Sequence, residues 1–190
     1  MRNIPFLLIF VLASSLNFLL EEGLEFIDFR ARKKDGGRVP KELFGYADSK
    51  LLKKTAAYEN EKYFLFIPKH VLGFILSLAL VFSGYYVFLY GRLFQATGSI
   101  YLTALLFSLL ASLPESLLSI PFAFKREFDI ERRYGFSTTT LGTWLLDGLK
   151  NLLLELAISC PLVLLACFLL LYLPNYWWIL LSAVMITFSL

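Results

Sequence analysis

Two carboxylates stand in stretches of this chain that are otherwise hydrocarbon: Glu115 within Leu113-Pro114-Glu115-Ser116-Leu117, and Glu155 within Leu152-Leu153-Leu154-Glu155-Leu156. At about 100° per helical residue, Ser108, Ser112, Glu115, Ser116 and Ser119 share an arc of about 100°. Asp147, Asn151, Glu155 and Ser159 recur at four-residue intervals and drift into a broader face. An ionisable group in hydrocarbon is costly, so such faces turn toward other helices or a water-filled cavity. The chemistry this offers is a polar path or a wetted chamber wall. Ser112, Glu115, Ser119, Asn151 and Glu155 are the candidates for it, with ordinary helix–helix contact as the plain alternative. A third row, His70, Gly73, Ser77, Gly84 and Gly91, reads as a small-residue seam for close helix packing.

A catalytic set is harder to find. The chain has one histidine, His70, so it contains no H-E-x-x-H pair and no three-ligand zinc site built from His and Cys. No G-x-S-x-G elbow, phosphate-binding loop or G-x-G-x-x-G fingerprint occurs. Cys160 and Cys167, seven residues apart in an apolar run, read as packing residues on one helix face. On its own residues the chain carries no metal or catalytic site and is expected to be inactive alone.

The elements that must position these side chains follow from composition. Hydrophobic residues make up 58% of the 190 and charged ones 17%. Several runs approach the roughly 20 apolar residues that cross a bilayer. The expected fold is all-α, a polytopic transmembrane helical bundle with five spans at about 4–20, 64–90, 100–124, 149–173 and 176–190. Pro114, Pro121 and Pro161 should kink or open the helices that hold them. Tyr85, Tyr86, Tyr90, Tyr172, Tyr176, Trp177 and Trp178 flank the runs as interfacial aromatics do.

Charge sets the orientation. The connection 21–63 holds ten Lys and Arg and the segment 125–150 holds five, against Arg92 alone after the second span and none after the fourth. The positive-inside rule makes 21–63 and 125–148 cytoplasmic loops and puts the N-terminus outside. A cleaved signal peptide over residues 1–15 is the competing reading, and it would place the ten basic residues outside. A net charge of +3, with acids interspersed among the bases, gives no nucleic-acid surface. Within the first loop, Asp35-Gly36-Gly37 is a turn. The segment 48–63 is a surface helix capped by Asp48 or Ser49.

The stretch Ile120–Lys150, IPFAFKREFDIERRYGFSTTTLGTWLLDGLK, closely resembles the membrane part of the type I CAAX prenyl proteases, which are integral-membrane zinc metallopeptidases. The matching positions are Pro121, Phe128, Glu131, Gly135, Phe136, Thr140, Asp147 and Lys150, with Ser137 in place of the usual Asn. Val39-Pro40-Lys41-Glu42-Leu43 and the Asp48-Ser49, Lys54, Tyr58 pattern are similar to the family's first cytoplasmic loop. The resemblance implies a ring of helices around a water-filled intramembrane chamber. It also implies a zinc-binding H-E-x-x-H helix after the fifth span, with two further spans and the rest of a catalytic domain beyond.

On that reading the chain is the chamber wall and docking surface of a zinc metalloendopeptidase. Its partners are the lipid bilayer, a C-terminal zinc-peptidase region and a protein or peptide substrate. Zinc is expected in that region and not in this chain. Gly135 and Phe136 would dock on the catalytic region, with Glu131, Arg132 and Arg133 making polar contacts across the junction; a loop ordered only by its own helices is the alternative. The location would be an integral membrane, the bacterial inner membrane or the endoplasmic reticulum according to source. The ending within an apolar run suggests a piece of a longer protein. The second functional reading is a non-catalytic scaffold or carrier of the same fold, with Glu115 and Glu155 as its polar path.

Overall fold

The computed structural model describes residues 4–39 and 48–189, all of whose regular structure is helical. Residues 40–43 of the Val-Pro-Lys-Glu-Leu motif lie outside the described residues. Seven α-helices follow in order: α1 (Ile4–Asp35), α2 (Ser49–Phe82), α3 (Tyr85–Thr97), α4 (Ile100–Lys125), α5 (Arg132–Tyr134), α6 (Leu141–Tyr172) and α7 (Trp177–Ser189). A π-helical turn, Arg126–Glu131, joins α4 to α5. Among the described residues four helices are long and apolar enough to cross a membrane, and α7 is a shorter apolar helix.

Four boundaries differ from the hydropathy reading. Between Leu20 and Asp35 the chain stops being apolar but meets no proline, so α1 continues through 21–35 until Gly36-Gly37 ends it. The surface helix expected at 48–63 runs unbroken into the second apolar run, giving one helix of 34 residues. Asp48 caps it, its carboxylate accepting the Lys50 amide at 3.1 Å, while Ser49 Oγ donates to Gly37 O at 2.9 Å. The second span itself breaks at Ser83-Gly84. Gly84 adopts φ 73°, a left-handed conformation that glycine alone takes cheaply, and α3 starts afresh. Likewise α6 begins at Leu141, eight residues before the apolar run, because Thr140 Oγ1 accepts the Thr143 amide at 3.2 Å and caps it. The helices pass through Pro68, Pro114, Pro121 and Pro161 without ending, and a locally widened turn, Arg126–Glu131, follows Pro121.

The chain forms two units. One comprises Met1–Phe82 and Pro114–Thr139, the other Ser83–Leu113 and Thr140–Leu190. In the first, α1 and α2 run antiparallel in a regular ladder. Phe18 stacks on Phe74 with ring centres 4.7 Å apart. Glu22 Oε1 meets His70 Nδ1 at 2.6 Å, Phe29 stacks on Tyr63 at 4.9 Å, and Arg32 Nε donates to Asn60 Oδ1 at 3.3 Å. At the last rung a Cβ on Gly36 would lie 2.7 Å from Ala56 Cβ, so only glycine lets the two helices close there.

Every rung moves down α2 by as many residues as it climbs α1. The steps alternate between four and three residues on both helices, with Glu25 and Ile67 filling the remaining register position. This is the heptad spacing of an antiparallel coiled coil, about 27 Å long from Phe18 to Gly36 at 1.5 Å per residue. The second unit holds α3, the first half of α4, α6 and α7. There the Thr97 and Thr103 hydroxyls lie 2.8 Å apart, Thr103 is fully buried, and Tyr86 and Tyr90 set their rings against Phe107.

Candidate functional site

In the first unit, α1, α2 and the Pro114–Lys125 part of α4 enclose a groove of about 800 Å³. Its polar lining comes from Asn17 and Glu21 of α1, Lys69 and His70 of α2, and Glu115 and Ser116 of α4, with Ser14, Ser77 and Ser119 between them. Small residues, Ala13, Ser14, Gly73, Ser77, Ser116 and Ser119, leave room for the groove among the larger side chains that line it. A Cβ built on Gly73 would meet nothing within 4 Å, so the expected close-packed seam on α2 opens instead into space along His70, Gly73 and Ser77. Ser119 Oγ donates to Ser116 O at 2.8 Å, turning that hydroxyl onto its own helix, while the Glu115 carboxylate stays exposed.

Of the chamber-facing candidates, Glu115 and Ser119 line this groove. Ser112 is exposed and donates to Leu109 O at 2.9 Å. Asn151 and Glu155 are exposed on α6, in the other unit. Asn17, Glu21 and Lys69 were not singled out from the sequence. The signal that finds them is the α1–α2 register, since Asn17 and Glu21 flank Phe18 on the face that meets α2. The lining offers carboxylate, amide, hydroxyl and ammonium groups to a polar occupant. Among the described residues no group of three or more His, Cys, Asp or Glu side chains is disposed to hold a metal ion.

A second, more enclosed cavity of about 230 Å³ lies between α1 and α2 on the other side of His70. Glu22, Glu25 and Arg32 face Glu59, Lys62 and Tyr63 across it, and Lys62 pairs with Glu59 at 3.2 Å.

The family-motif connection is bound to the first half of α2. Tyr58 donates to Glu131 Oε1 at 2.6 Å and Tyr134 to Glu61 Oε1 at 2.9 Å. Arg133 bridges Glu61 Oε2 at 2.9 Å and Asp129 at 3.0 Å. Burial first, and then the Glu131 carboxylate, hold the Tyr58 phenol protonated well above its usual range, outside the apolar part of α2. Gly135 turns the chain at φ 78°, which lets the Phe136 amide reach Glu131 O at 2.8 Å. Phe136 then sets its edge against Tyr58 at 4.8 Å, with Lys54 over its ring at 5.5 Å, and remains 56% exposed.

The other motif residues make local contacts. Phe128 packs on Phe124 and under Arg132, whose Nη2 donates to Thr139 O at 2.8 Å. Ser137, standing where the family has Asn, donates to Glu127 Oε1 at 2.5 Å. Pro121 lines a further groove with Phe64, Pro68 and Ile130, the last of these 3% exposed. Thr140 caps α6, and Asp147 pairs with Lys150 at 3.2 Å on its exposed surface. The polar contacts of Glu131 and Arg133 are therefore made within the chain, with α2 and the π turn. Sequence reasoning named these residues but not their partners.

Comparison with known proteins gives the family. Residues 28–190 match a family model described as CAAX prenyl protease N-terminal, five membrane helices. The CAAX prenyl protease 1 homolog of Caenorhabditis elegans is 30% identical over an alignment of 155 positions that covers 77% of this chain and 32% of that protein. The homolog from Taenia solium is 39% identical over 66 residues, 35% of this chain and 14% of that protein. The crystal structure of S. mikatae Ste24p superposes with a TM-score of 0.80, covering 98% of this chain and 44% of that one. At 21% identity this likeness shows the fold. The chain spans about a third of the length of the C. elegans relative.

Proposed function

Since the chain belongs to the CAAX prenyl protease N-terminal family, and is thereby an integral multi-pass membrane protein, we propose that it serves as the membrane domain of a zinc-dependent metalloendopeptidase. In this reading its helices wall an intramembrane chamber, and its Phe136 turn receives a catalytic region outside this chain. The N-terminus lies outside, and the two basic connections face the cytoplasm. Zinc would be held by that catalytic region, where it polarises the scissile carbonyl and activates water.

The observation that carries the proposal is the groove. It gathers Asn17, Lys69, His70, Glu115 and Ser116 from the apolar lengths of α1, α2 and α4, with Glu21 just beyond that of α1, around about 800 Å³. Side chains of that kind do not face lipid, and they suit a peptide in transit. The docking role rests on Phe136, an aromatic ring held in place by Tyr58 and Gly135 yet more than half exposed. Rigid, part-exposed aromatics are favoured contact residues.

The test is activity and stability of the assembled protease carrying Phe136→Ala or Gly135→Val. Loss of peptidase activity, with the mutant membrane domain still inserted and folded, is the expected result. Unchanged activity and unchanged association with the catalytic region would end the docking reading. A pH-dependent solute flux through the purified chain, abolished by Glu115→Gln, would instead make it a carrier.

A further inference from the structure

His70 belongs to both polar compartments of the first unit: it lines the 800 Å³ groove and the 230 Å³ cavity alike. Between them, at the second rung of the α1–α2 ladder, stands the 2.6 Å contact of His70 Nδ1 with Glu22 Oε1. On the groove side the next rung is the Phe18–Phe74 stack, and on the cavity side Ile67 fills the register position. The Glu22–His70 rung is therefore a polar contact set between an aromatic stack and the Glu25–Ile67 position. At about 30 Å³ per molecule the smaller cavity has room for about seven waters. Its lining of Glu22, Glu25, Arg32, Glu59 and Lys62 would keep them there. The His70 side chain, stacked on Phe66 with ring centres 6.1 Å apart, is 40% exposed, and that of Glu22 is 19% exposed. One turn along α2, Gly73 leaves open space where any other residue would put a side chain.

We propose that Glu22 and His70 form a gate between these compartments. With the pair closed, the small cavity is a wet vestibule ending at the imidazole. When the pair parts, the His70 ring swings into the room left by Gly73. Water and small hydrophilic solutes then pass from the Arg32 and Lys62 end into the intramembrane groove. The gate needs only side-chain rotation, because the Phe18–Phe74 stack on one side and the Phe29–Tyr63 and Arg32–Asn60 rungs on the other hold the helices in register about the movement. It stands on the geometry of α1 and α2 and does not depend on a peptidase role.

The experiment is thiol labelling of the full chain in its membrane, with Cys160 and Cys167 replaced by alanine and Ser77→Cys as a reporter inside the groove. A small, membrane-impermeant cationic thiosulfonate is applied to the face that carries Arg32 and Lys62. Loss of a charge-assisted hydrogen bond should raise the open fraction, so Glu22→Ala and His70→Ala are expected to label about tenfold faster or more. The exchanged pair, Glu22→His with His70→Glu, should return the rate to that of the parent. Labelling at exposed Thr138→Cys should be the same in all of them, which reports equal reagent access to that face. Equal reporter rates in parent and alanine variants would overturn the gate. So would an exchanged pair that labels as fast as the alanine variants while Thr138→Cys is unchanged, and this comparison decides the matter even if an alanine variant fails to fold.

Discussion

Removing the hydroxyl of Tyr58 should free the connection between α4 and α6 from α2. Tyr58→Phe keeps the ring against Phe136 and Tyr134 but deletes the donor that lies 2.6 Å from the Glu131 carboxylate. A hydrogen bond to a charged group contributes about 1.5–3 kcal/mol. Both residues are half-buried, so water replaces part of the loss and the lower end, about 1.5–2 kcal/mol, applies. That corresponds to roughly a 10- to 30-fold rise in the locally opened state. Arg132 and Arg133 sit in the short α5 directly after Glu131, and trypsin cuts after them only when the helix opens. Under conditions where reclosing outpaces cleavage, the tryptic rate follows the opened population. The assay is limited trypsinolysis of the parent, Tyr58→Phe, Glu131→Ala and the double variant, read as a double-mutant cycle. The expected double variant cleaves little faster than the faster single one. If its acceleration were instead the product of the two single-variant accelerations, the pair would contribute nothing and the clamp would be refuted.

Two further predictions concern the helices themselves. Gly36→Val should destabilise the α1–α2 ladder by about 1–3 kcal/mol, the usual cost of overpacking, because its Cβ would lie 2.7 Å from Ala56 Cβ and 2.3 Å from Arg32 O. Gly23→Ala, on the same helix with nothing within 4 Å, should instead be neutral or stabilising by about 0.5–1 kcal/mol, and thermal melts of the two variants in detergent should move in opposite directions or differ sharply in size. Thr140→Ala removes the acceptor for the Thr143 amide and should lower the melting temperature by the equivalent of about 1 kcal/mol, with Thr140→Ser close to the parent.

Hydropathy made the membrane class and the order of the apolar runs legible, because bilayer thickness imposes a length that a run of Leu, Phe and Ile displays directly. Local chemistry made the caps legible: Asp48 starts α2 as its position before Ser49-Lys50-Leu51 suggests. What hydropathy could not show was helix continuing into water. Residues 21–35 and 49–63 leave the apolar register, yet every fourth or third one meets the partner helix. Glu22, Glu25 and Arg32 carry that pattern on α1 just as Phe18 and Phe29 do. A ladder with polar rungs escapes a search for apolar ones. The break at Gly84 is hidden for the opposite reason, since Phe82 and Tyr85 keep the run apolar across it.

Partners distant in sequence were the least accessible. Tyr58 and Glu131 lie 73 positions apart, and nothing near either names the other. The same distance hides the partners of Glu131 and Arg133 on α2, which the sequence around the connection does not name. The small-residue row of His70, Gly73 and Ser77 shows a further limit. Small side chains serve a tight seam and an open groove equally, and only the position of α4 beside them decides which.

The central claim is that this chain is the membrane domain of a zinc metallopeptidase, and the most direct test is the intact mass and zinc content of the product made from the native gene. The account predicts a protein much heavier than 21.8 kDa that carries about one zinc ion. A zinc-free product of 21.8 kDa would contradict it and would make the chain a free-standing membrane protein built on the same helices.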